Sequence, residues 1–455
     1  MQGSILLCPL LVQLLRPIEP GFMTLNFLPG QPNNTQQSTC QGTWQNHTIL
    51  AYCSGNNLIV LTNKFTRLQT IYLPSDCVAV DINSFNGHIA VAVSNHVHVY
   101  KPLHQVMKNP KWVYCTKIYH DDSRVNTLKW GYKDELVLGS DYLSFWKIKD
   151  EFGEFKSHLL WTKRQPKPVY TCTISEDSQL IASMGKYDNN VKVWQRISIG
   201  GDQDIFDLSL LPHPQPVSTL RWKKNSDLCT REQGSHVLYS LCADGKLRIW
   251  TSYELDNKKT VQRWGALELD KTKGQRFCLI LDSWIVQQLL SKKPSTNQFE
   301  NYLGELKPDI VLFSNGTGDL DIYALENLSH DPPKLMGKKK LLSTSLSPPT
   351  FVCDPKFLCF AEPQLYDEEP DNISIVVHDL NGVIRHSLIK LSKLFDPTQR
   401  KIGALEHKLT GHNKSIQSLV RSSDGEAVLA LTRFSENCVW VPQSLGKGVI
   451  LRKKN

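Results

Sequence analysis

The residue types that most often carry out chemistry occur in this sequence only as small, isolated groups. His96-Val97-His98 places two imidazoles on the same face of a predicted strand, because side chains alternate between its faces. Zinc would require further ligands at tetrahedral positions, and the surrounding sequence offers none. His120-Asp121-Asp122 has acid and base residue types, but it lies in a polar loop, where a turn with solvated charges is expected. We therefore predict neither a metal site nor an acid–base pair at these positions.

Phosphate-binding and acidic patterns are equally weak. Asn315–Asp319 contains two glycines, but no helical pattern follows that could bring a helix N-terminus to a phosphate. Asp367-Glu368-Glu369 is expected to be a solvated acidic loop that could hold a divalent cation only weakly. The sequence has no Gly-x-Ser-x-Gly motif and no Cys/His pair at a recognisable spacing. We expect no catalytic residue, no bound metal and no cofactor.

The elements that carry these residues show a period of two. In Val169–Trp194, alternating apolar residues form three short runs that are separated by two polar turns and end at Lys192-Val193-Trp194. This pattern predicts the inner three strands of one propeller blade. Pro216–Trp250 repeats the frame and also ends with a tryptophan.

An aspartate precedes the closing tryptophan at the same distance in both copies. Asp188 and Asp244 lie six residues before Trp194 and Trp250. A carboxylate in such a tight turn accepts hydrogen bonds from backbone N–H groups that would otherwise be unpaired. We therefore predict a structural role for both aspartates.

Weaker copies extend in both directions along the chain. The last copy runs from Gly411-His412 to Trp440 and lacks the aspartate in the turn. His412 is expected to hydrogen-bond a Ser or Thr and Trp440 within its blade. Trp146, Trp194, Trp250 and Trp440 are each expected to end a repeat core and pack between neighbouring blades. The weaker copies are Thr48–Leu73, Cys77–Tyr100, Val125–Ile148, Phe277–Tyr323, Thr350–Leu380 and Leu409–Trp440.

These repeats predict an all-β fold, a WD-repeat β-propeller. We expect seven blades followed by the first blade of a truncated second propeller, with a ring of eight as the alternative. The predicted domains are a non-domain extension over residues 1–22, the propeller over 23–401, and a single WD repeat with a basic C-terminal tail over 402–455. Residues 5–15 resemble the apolar region of a signal peptide, but no basic residue precedes them and no cleavage site follows.

Charge distribution and cysteine usage indicate which kinds of partner and which redox compartment to expect. The net charge of +8 is dispersed among short basic pieces in predicted loops or the tail, so no nucleic-acid-binding face is expected. The twelve cysteines include no Cys-x-x-Cys motif, and several lie in or beside predicted strands. Buried free thiols in a reducing compartment are the expected state. The basic pieces are Lys223-Lys224, Lys258-Lys259, Lys338–Lys340 and Arg452–Lys454.

Several long stretches resemble a specific family. They include TLNFLPGQPNNT, GSDYLSFWKIKDEFG and LTGHNKSIQSLVRSSDGEAVLALTRFSENCVW. From Met23 to Gln443 the chain resembles the amino-terminal WD-repeat region of the large subunit of the fungal RAVE complex, whose animal relatives are the rabconnectin-3 alpha or DmX-like proteins. The motif at Gly411-His412 would open the second propeller of that family, so the chain is expected to be a fragment or truncated product.

The resemblance implies a non-enzymatic scaffold that promotes assembly of the peripheral and membrane sectors of the vacuolar-type proton ATPase, and so vacuolar and endosomal acidification. Implied partners are the other RAVE subunits and peripheral-sector subunits of the ATPase. Implied localisation is cytoplasmic, with peripheral recruitment to vacuolar or endosomal membranes. The alternatives are a generic WD-repeat interaction propeller, a lipid-binding propeller, or an inactive fragment. The Phe-Arg-Arg-Gly motif of phosphoinositide-binding propellers is absent, and Thr432-Arg433-Phe434 is the nearest element.

Overall fold

The structure is a computed structural model, and it describes most of the chain from Pro32 onward. The strands of the described residues form eight four-stranded antiparallel sheets. The described residues are 32–33, 35, 37–45, 47–62, 66–103, 110–120, 123–198, 204–224, 236–255, 258–268, 277–291, 308–314, 319–325, 338–345, 359–363, 372–378, 383–390, 403–410, 416–424, 427–432, 438–445 and 448–454.

The first four sheets follow one another along the chain. The first contains β1 (Thr39–Trp44), β2 (His47–Ser54), β3 (Asn57–Thr62) and β4 (Arg67–Tyr72). The second contains β5 (Cys77–Ile82), β6 (Ile89–Val93), β7 (His96–Leu103) and β8 (Lys111–Tyr119). The third contains β9 (Thr127–Trp130), β10 (Glu135–Gly139), β11 (Tyr142–Glu151) and β12 (Glu154–Arg164). The fourth contains β13 (Val169–Ile174), β14 (Leu180–Gly185), β15 (Asn190–Ser198) and β16 (Ile205–Pro212).

The remaining sheets repeat the same order. The fifth contains β17 (Val217–Trp222), β18 (Val237–Cys242), β19 (Lys246–Leu255) and β20 (Lys258–Glu268). The sixth contains β21 (Phe277–Leu281), then helix α1 (Ser283–Ser291), β22 (Asp309–Ser314), β23 (Asp319–Leu325) and β24 (Lys338–Ser345). The seventh contains β25 (Cys359–Pro363), β26 (Asn372–His378), β27 (Val383–Lys390) and β28 (Gly403–Thr410). The eighth contains β29 (Ile416–Arg421), β30 (Val428–Thr432), β31 (Cys438–Leu445) and β32 (Gly448–Lys454).

Several inner strands are buried on both faces because a neighbouring sheet covers each face. Every residue of β5 and β6 is buried, whereas the outermost strand β4 has no buried residue. Apolar layers lie between the first and second, second and third, third and fourth, fourth and fifth, and fifth and sixth sheets. Successive sheets therefore pack face to face, as blades of a propeller do, and the all-β WD-repeat class predicted from the sequence is confirmed.

A recurring irregularity marks the strands as copies of one unit. The innermost strands of four sheets shift register by one residue near their first residue, where a bulge leaves one residue unpaired. The shifts lie between Cys77 and Ala79, Val169 and Thr171, Val217 and Thr219, and Ile416 and Ser418.

By internal contacts the chain forms two compact units. One comprises Pro32–Leu380 and Ile384–Glu406, and it contains the first six sheets. The other comprises Met1–Gln31, Asn381–Val383 and His407–Asn455, and it contains the eighth sheet. The number of blades in one ring, the boundary at residue 401 and the role of residues 1–22 stay predictions, and residues 1–22 lie outside the described part.

The structure differs from the sequence analysis, or adds to it, at four places. Thr48–Leu73 forms the second to fourth strands of its sheet, because Thr39–Trp44 supplies the innermost one. Helix α1 was not expected from the apolar run that it contains. The expected basic tail is strand β32, which pairs with β31. Lys258-Lys259 and Lys338–Lys340 likewise lie in strands and not in loops.

Candidate interaction surface

The two turn aspartates hold hairpins in the fourth and fifth sheets. Asp188 Oδ2 accepts a hydrogen bond from the Gly185 N–H at 3.0 Å, and Asp188 Oδ1 accepts one from Lys167 Nζ at 2.8 Å. Asp244 Oδ1 accepts hydrogen bonds from the Lys246 N–H at 3.0 Å and from Arg248 Nη1 at 3.1 Å. Both carboxylates are therefore occupied by groups of their own sheet and its adjoining loop.

The electrostatics of Asp244 agree with this geometry. Partial burial disfavours the carboxylate, but the Arg248 guanidinium and the Lys246 N–H outweigh it and lower the pKa of Asp244 to about 2. A group that is ionised throughout the physiological range cannot act as a general acid.

The closing tryptophans donate their indole N–H groups to serines. Trp194 Nε1 donates to Ser183 Oγ at 3.1 Å, and Trp250 Nε1 donates to Ser240 Oγ at 2.9 Å. Both indoles are buried against the preceding sheet. Trp146 is only partly buried, and it donates to Ser144 Oγ at 2.8 Å.

A histidine that the sequence analysis missed completes the network in the fifth sheet. His213 Nδ1 lies 2.9 Å from the Leu211 carbonyl, which can only accept, so this nitrogen carries the proton. His213 Nε2 then accepts from Ser240 Oγ at 2.8 Å, and Ser240 in turn accepts from Trp250. Burial lowers the pKa of His213, which keeps the ring neutral. The network ties the loop before β17 to the strands β18 and β19.

His120 has the same role in the third sheet. His120 Nε2 lies 2.7 Å from Ser140 Oγ, and His120 Nδ1 lies 3.2 Å from Ser144 Oγ, the acceptor of the Trp146 N–H. The ring is buried, so the expectation of a solvated turn at His120-Asp121-Asp122 is wrong for the histidine. Asp121 and Asp122 lie outside the described residues.

Position along the chain is the signal that could have found one of these histidines. His213 precedes Val217, the first residue of its inner strand, by four positions, and His412 precedes Ile416 by the same four. His412 itself lies outside the described residues. Trp440 lies in β31 with Val428 as its register partner. Its contact with His412 stays a prediction.

The remaining candidate groups of the sequence analysis lie partly within the described residues. The rings of His96 and His98 stack at 5.6 Å, and burial, followed by the charges of His96 and Lys117, lowers the pKa of His98 to about 4. Among the described residues, no group of three or more His, Cys, Asp or Glu could hold a metal ion. Asp367–Glu369 lies outside these residues, as do positions 315–318.

Most of the free cysteines whose burial is described lie buried in inner strands, and Cys115 on the outermost strand β8 is partly buried. Cys53, Cys77, Cys172 and Cys242 are all buried and none of them forms a disulfide. Burial raises the pKa of the Cys172 thiol to about 12, which disfavours the nucleophilic thiolate. No helix among the described residues has the length and apolar character needed to cross a membrane.

Three ion pairs with buried carboxylates join neighbouring sheets. The charged side chains in these pairs therefore have a structural role. Lys223 belongs to this set, and its burial corrects the expectation of a solvated loop lysine. The carboxylates of all three pairs are almost fully buried. The pairs are Lys129–Asp81 at 2.6 Å, Arg196–Glu135 at 3.1 Å and Lys223–Asp309 at 2.6 Å.

Exposed large apolar side chains lie mainly in loops and outermost strands, and several of them lie in the last two strands of the fourth sheet. The exposed set is Tyr72, Phe85, Tyr114, Tyr119, Phe152, Leu159, Tyr187, Ile197, Ile205, Leu208, Leu210 and, in the other unit, Val420. Tyr187 has a φ of 62° in the turn before Asp188, a left-handed conformation that a non-glycine residue seldom adopts.

Comparisons with known proteins agree with the repeat pattern. The family model of the WD domain, G-beta repeat, matches residues 153–195. The chain is 54% identical over 435 residues to the regulator of V-ATPase in vacuolar membrane protein 1 of Saccharomyces cerevisiae. The predicted resemblance is confirmed. This match covers 95% of the chain but 32% of the relative, so the chain spans about a third of that relative's length.

More distant relatives cover about half of the chain. The protein of the same name from Schizosaccharomyces pombe is 28% identical over 225 residues, which are 49% of the chain and 17% of that protein. Human DmX-like protein 1 is 25% identical over 273 residues, which are 50% of the chain and 9% of that protein. Among solved structures, the C-terminal WD40 domain of Sif2 aligns with a TM-score of 0.47 at 13% identity, covering 93% of the chain and 100% of that domain.

Proposed function

We propose that the chain is a non-enzymatic scaffold subunit of a RAVE-type complex. In this role it promotes assembly of the peripheral and membrane sectors of the vacuolar-type proton ATPase, and so vacuolar and endosomal acidification. The observation that carries the proposal is the 54% identity to a regulator of V-ATPase, maintained over 95% of the chain.

The described side chains are consistent with a scaffold. The turn aspartates, the histidines His120 and His213, and the ion pairs between sheets all have partners within the fold. What the fold leaves exposed are apolar and charged side chains on loops and outermost strands, which are the features that protein interfaces use. The proposed partners are other RAVE subunits and peripheral-sector subunits of the ATPase.

The proposed location is the cytoplasm, with peripheral recruitment to vacuolar or endosomal membranes. The yeast relative is named for the vacuolar membrane. Recruitment through protein partners would bring this chain to the same surface.

A chimera tests the proposal. The region of the yeast regulator that matches this chain is replaced by the chain, and the chimera is expressed in yeast that lacks the regulator. We expect restored vacuolar acidification, measured with a ratiometric pH dye, and recovery of peripheral ATPase subunits when the chimera is immunoprecipitated.

The matched control carries the C-terminal WD40 domain of Sif2 in the same place, because it supplies a propeller without the resembling sequence. Failure of the well-expressed chimera to acidify vacuoles or to recover ATPase subunits, at the level of the Sif2 control, would contradict the proposal.

A further inference from the structure

The outermost strand of the fourth sheet differs in composition from its counterparts. Each of the other seven outermost strands in the described sheets contains at least one Lys or Arg. Strand β16, with the sequence IFDLSLLP, contains neither. Charged residues on an edge strand, especially lysines, discourage the pairing of a further strand. The edge of β16 therefore lacks a basic residue and carries one charge, Asp207, whose Oδ1 accepts a hydrogen bond from the Leu208 N–H at 3.0 Å.

Strand β16 also exposes aliphatic side chains. It is the last strand in the order β13-β14-β15-β16, so among the described residues it pairs on one side only. Leu208 is 42% exposed and Leu210 is 55% exposed. Both project from the same face of the strand, because side chains two residues apart do so. Asp207, the acidic residue of the strand, lies on the opposite face.

Basic residues border one end of this apolar edge. Leu210 lies opposite Lys192 in the register of β15 and β16, which places the two side chains on the same face. Lys192 Nζ donates to Gln165 Oε1 at 2.9 Å, in the loop that also carries Lys167. The Lys167 side chain is 59% exposed although it pairs with Asp188. Leu208, Leu210, Lys192 and Lys167 are called the rim patch below.

The neighbouring turn adds positive charge and an aromatic ring. Lys186 Nζ lies 5.1 Å from the centroid of the Tyr187 ring, and Tyr187 is 72% exposed. The cation–π contact holds a second lysine beside the left-handed turn residue. Lys167, Lys186 and Lys192 thus outnumber Asp188, the acidic residue of the turn.

We propose that the rim patch is the docking surface for an extended, acidic segment of a protein partner, which adds to the fourth sheet as a further strand beyond β16. Backbone hydrogen bonds to the open edge give such strand addition its affinity, and alternate side chains give it specificity. Apolar residues of the segment lie against Leu208 and Leu210. Acidic residues follow at the end nearest Pro212, where Lys192 and Lys167 lie. This inference does not depend on which protein supplies the segment.

Peptide binding to the full chain tests the proposal directly. The probe is a fluorescein-labelled peptide, Thr-Val-Thr-Val-Thr-Glu-Glu-Glu, together with its reverse, because a strand can add in either direction. Fluorescence anisotropy reports binding. We expect one of the two to bind and its affinity to fall as salt is raised, since exposed charges are screened. A peptide with lysines in place of the glutamates, and one with N-methylated valines, are expected to bind at least tenfold more weakly (~1.4 kcal/mol or more).

Matched variants locate the binding site. L210K and K167E are each expected to weaken binding about tenfold. Their controls are L159K, at a leucine 43% exposed on the outermost strand β12, and K156E, at a lysine 57% exposed that pairs with Glu151 as Lys167 pairs with Asp188. The controls are expected to bind as the unchanged chain does. Circular dichroism and the melting temperature confirm that each variant is folded.

Hydrogen exchange supplies a readout that does not depend on a variant. Bound peptide is expected to slow amide exchange in Ile205–Pro212 but not in Glu154–Arg164. Equal binding by L210K and L159K, or no change in exchange at β16, overturns the proposal. Binding that N-methylation does not weaken does so as well.

Two other possible occupants of the β16 edge, a second copy of the chain and a lipid surface, would give different experimental results. Dimerisation of the free chain in sedimentation velocity, abolished by L210K, would assign the edge to a second copy and overturn the proposal. Sedimentation with phosphatidylserine vesicles that K167E abolishes, in the absence of peptide binding, would assign it to a lipid surface and also overturn it.

Discussion

At the residue scale, one serine in the fifth sheet serves two buried partners. Ser240 donates to His213 Nε2 and accepts from Trp250 Nε1, whereas Ser183 in the fourth sheet accepts from Trp194. Ser240→Ala leaves both partners without their hydrogen bond, which costs about 1–3 kcal/mol for each buried polar group. We expect it to lower the free energy of unfolding more than Ser183→Ala does, as measured by urea denaturation. Equal losses in the two variants would contradict the assigned network.

A second prediction at this scale concerns acid stability. Asp177 accepts hydrogen bonds from Ser175 Oγ at 2.6 Å and from the Gln179 N–H at 3.1 Å, and it lies 2.8 Å from His236 Nε2. Burial opposes ionisation, but these partners outweigh it and lower the pKa of Asp177 to about 2. Because folding lowers the pKa of Asp177, its ionised carboxylate stabilises the folded state at pH values above the unfolded pKa of about 3.9. This stabilisation is lost as the pH falls through the lower pKa of the folded state.

Asp177→Asn removes this contribution. We expect the chain to exceed the variant in unfolding free energy by about 2 kcal/mol at pH 7, and the difference to shrink between about pH 4 and pH 2. Urea denaturation at several pH values measures it. A difference that stays constant down to pH 2 would show that the charge of Asp177 is not what stabilises the fold.

At the element scale, the buried ion pairs fix one sheet against the next. Lys223 follows β17, and Asp309 begins β22 in the neighbouring sheet. Asp309 Oδ2 also accepts from the Tyr239 hydroxyl at 3.1 Å, and Oδ1 accepts from the Ser283 N–H at 2.6 Å. Asp309→Ala leaves the Lys223 ammonium buried without its carboxylate, which is expected to cost about 3–5 kcal/mol.

The control is Glu151→Ala, which breaks the exposed pair with Lys156 and is expected to change stability little. Thermal unfolding of both variants separates the two cases. If Asp309→Ala and Glu151→Ala shift the melting temperature equally, the pair between the sheets does not stabilise their packing.

The inner strands were predictable from sequence because both faces are covered and their turns carry Asp188 or Asp244. Strand β1 was not, because its buried face includes Gly42, where an added Cβ would lie 2.5 Å from Ile82 Cγ2. Packing of the next sheet, and not strand propensity, selects glycine there. Helix α1 is nine residues long, too short for its period to stand out from the apolar runs of strands.

The candidate surface was predictable only in part, since it depends on residues distant in sequence. The Asp188 and Asp244 turns are local, so spacing alone finds them. His213 and Ser240 meet across 27 positions, and the insertion between β17 and β18 hides their spacing. The rim patch was not predictable for a similar reason. The position of Leu210 beside Lys192 depends on the register of β15 and β16, and its exposure depends on β16 lying at the edge of its sheet.

At the scale of the whole molecule, the proposed function and the rim patch can be joined in one experiment. Strand β16 is the outermost strand of its sheet, and Leu210 is exposed on it. A substitution at Leu210 is therefore expected to alter the surface without altering the packing between sheets. In the yeast chimera, we expect L210K to reduce recovery of the partner that supplies the acidic segment at least fivefold, corresponding to ~1 kcal/mol or more, and to slow vacuolar acidification. L159K is expected to behave as the unchanged chimera. If L210K abolishes peptide binding in solution yet leaves acidification intact, the rim patch serves a partner other than those of ATPase assembly.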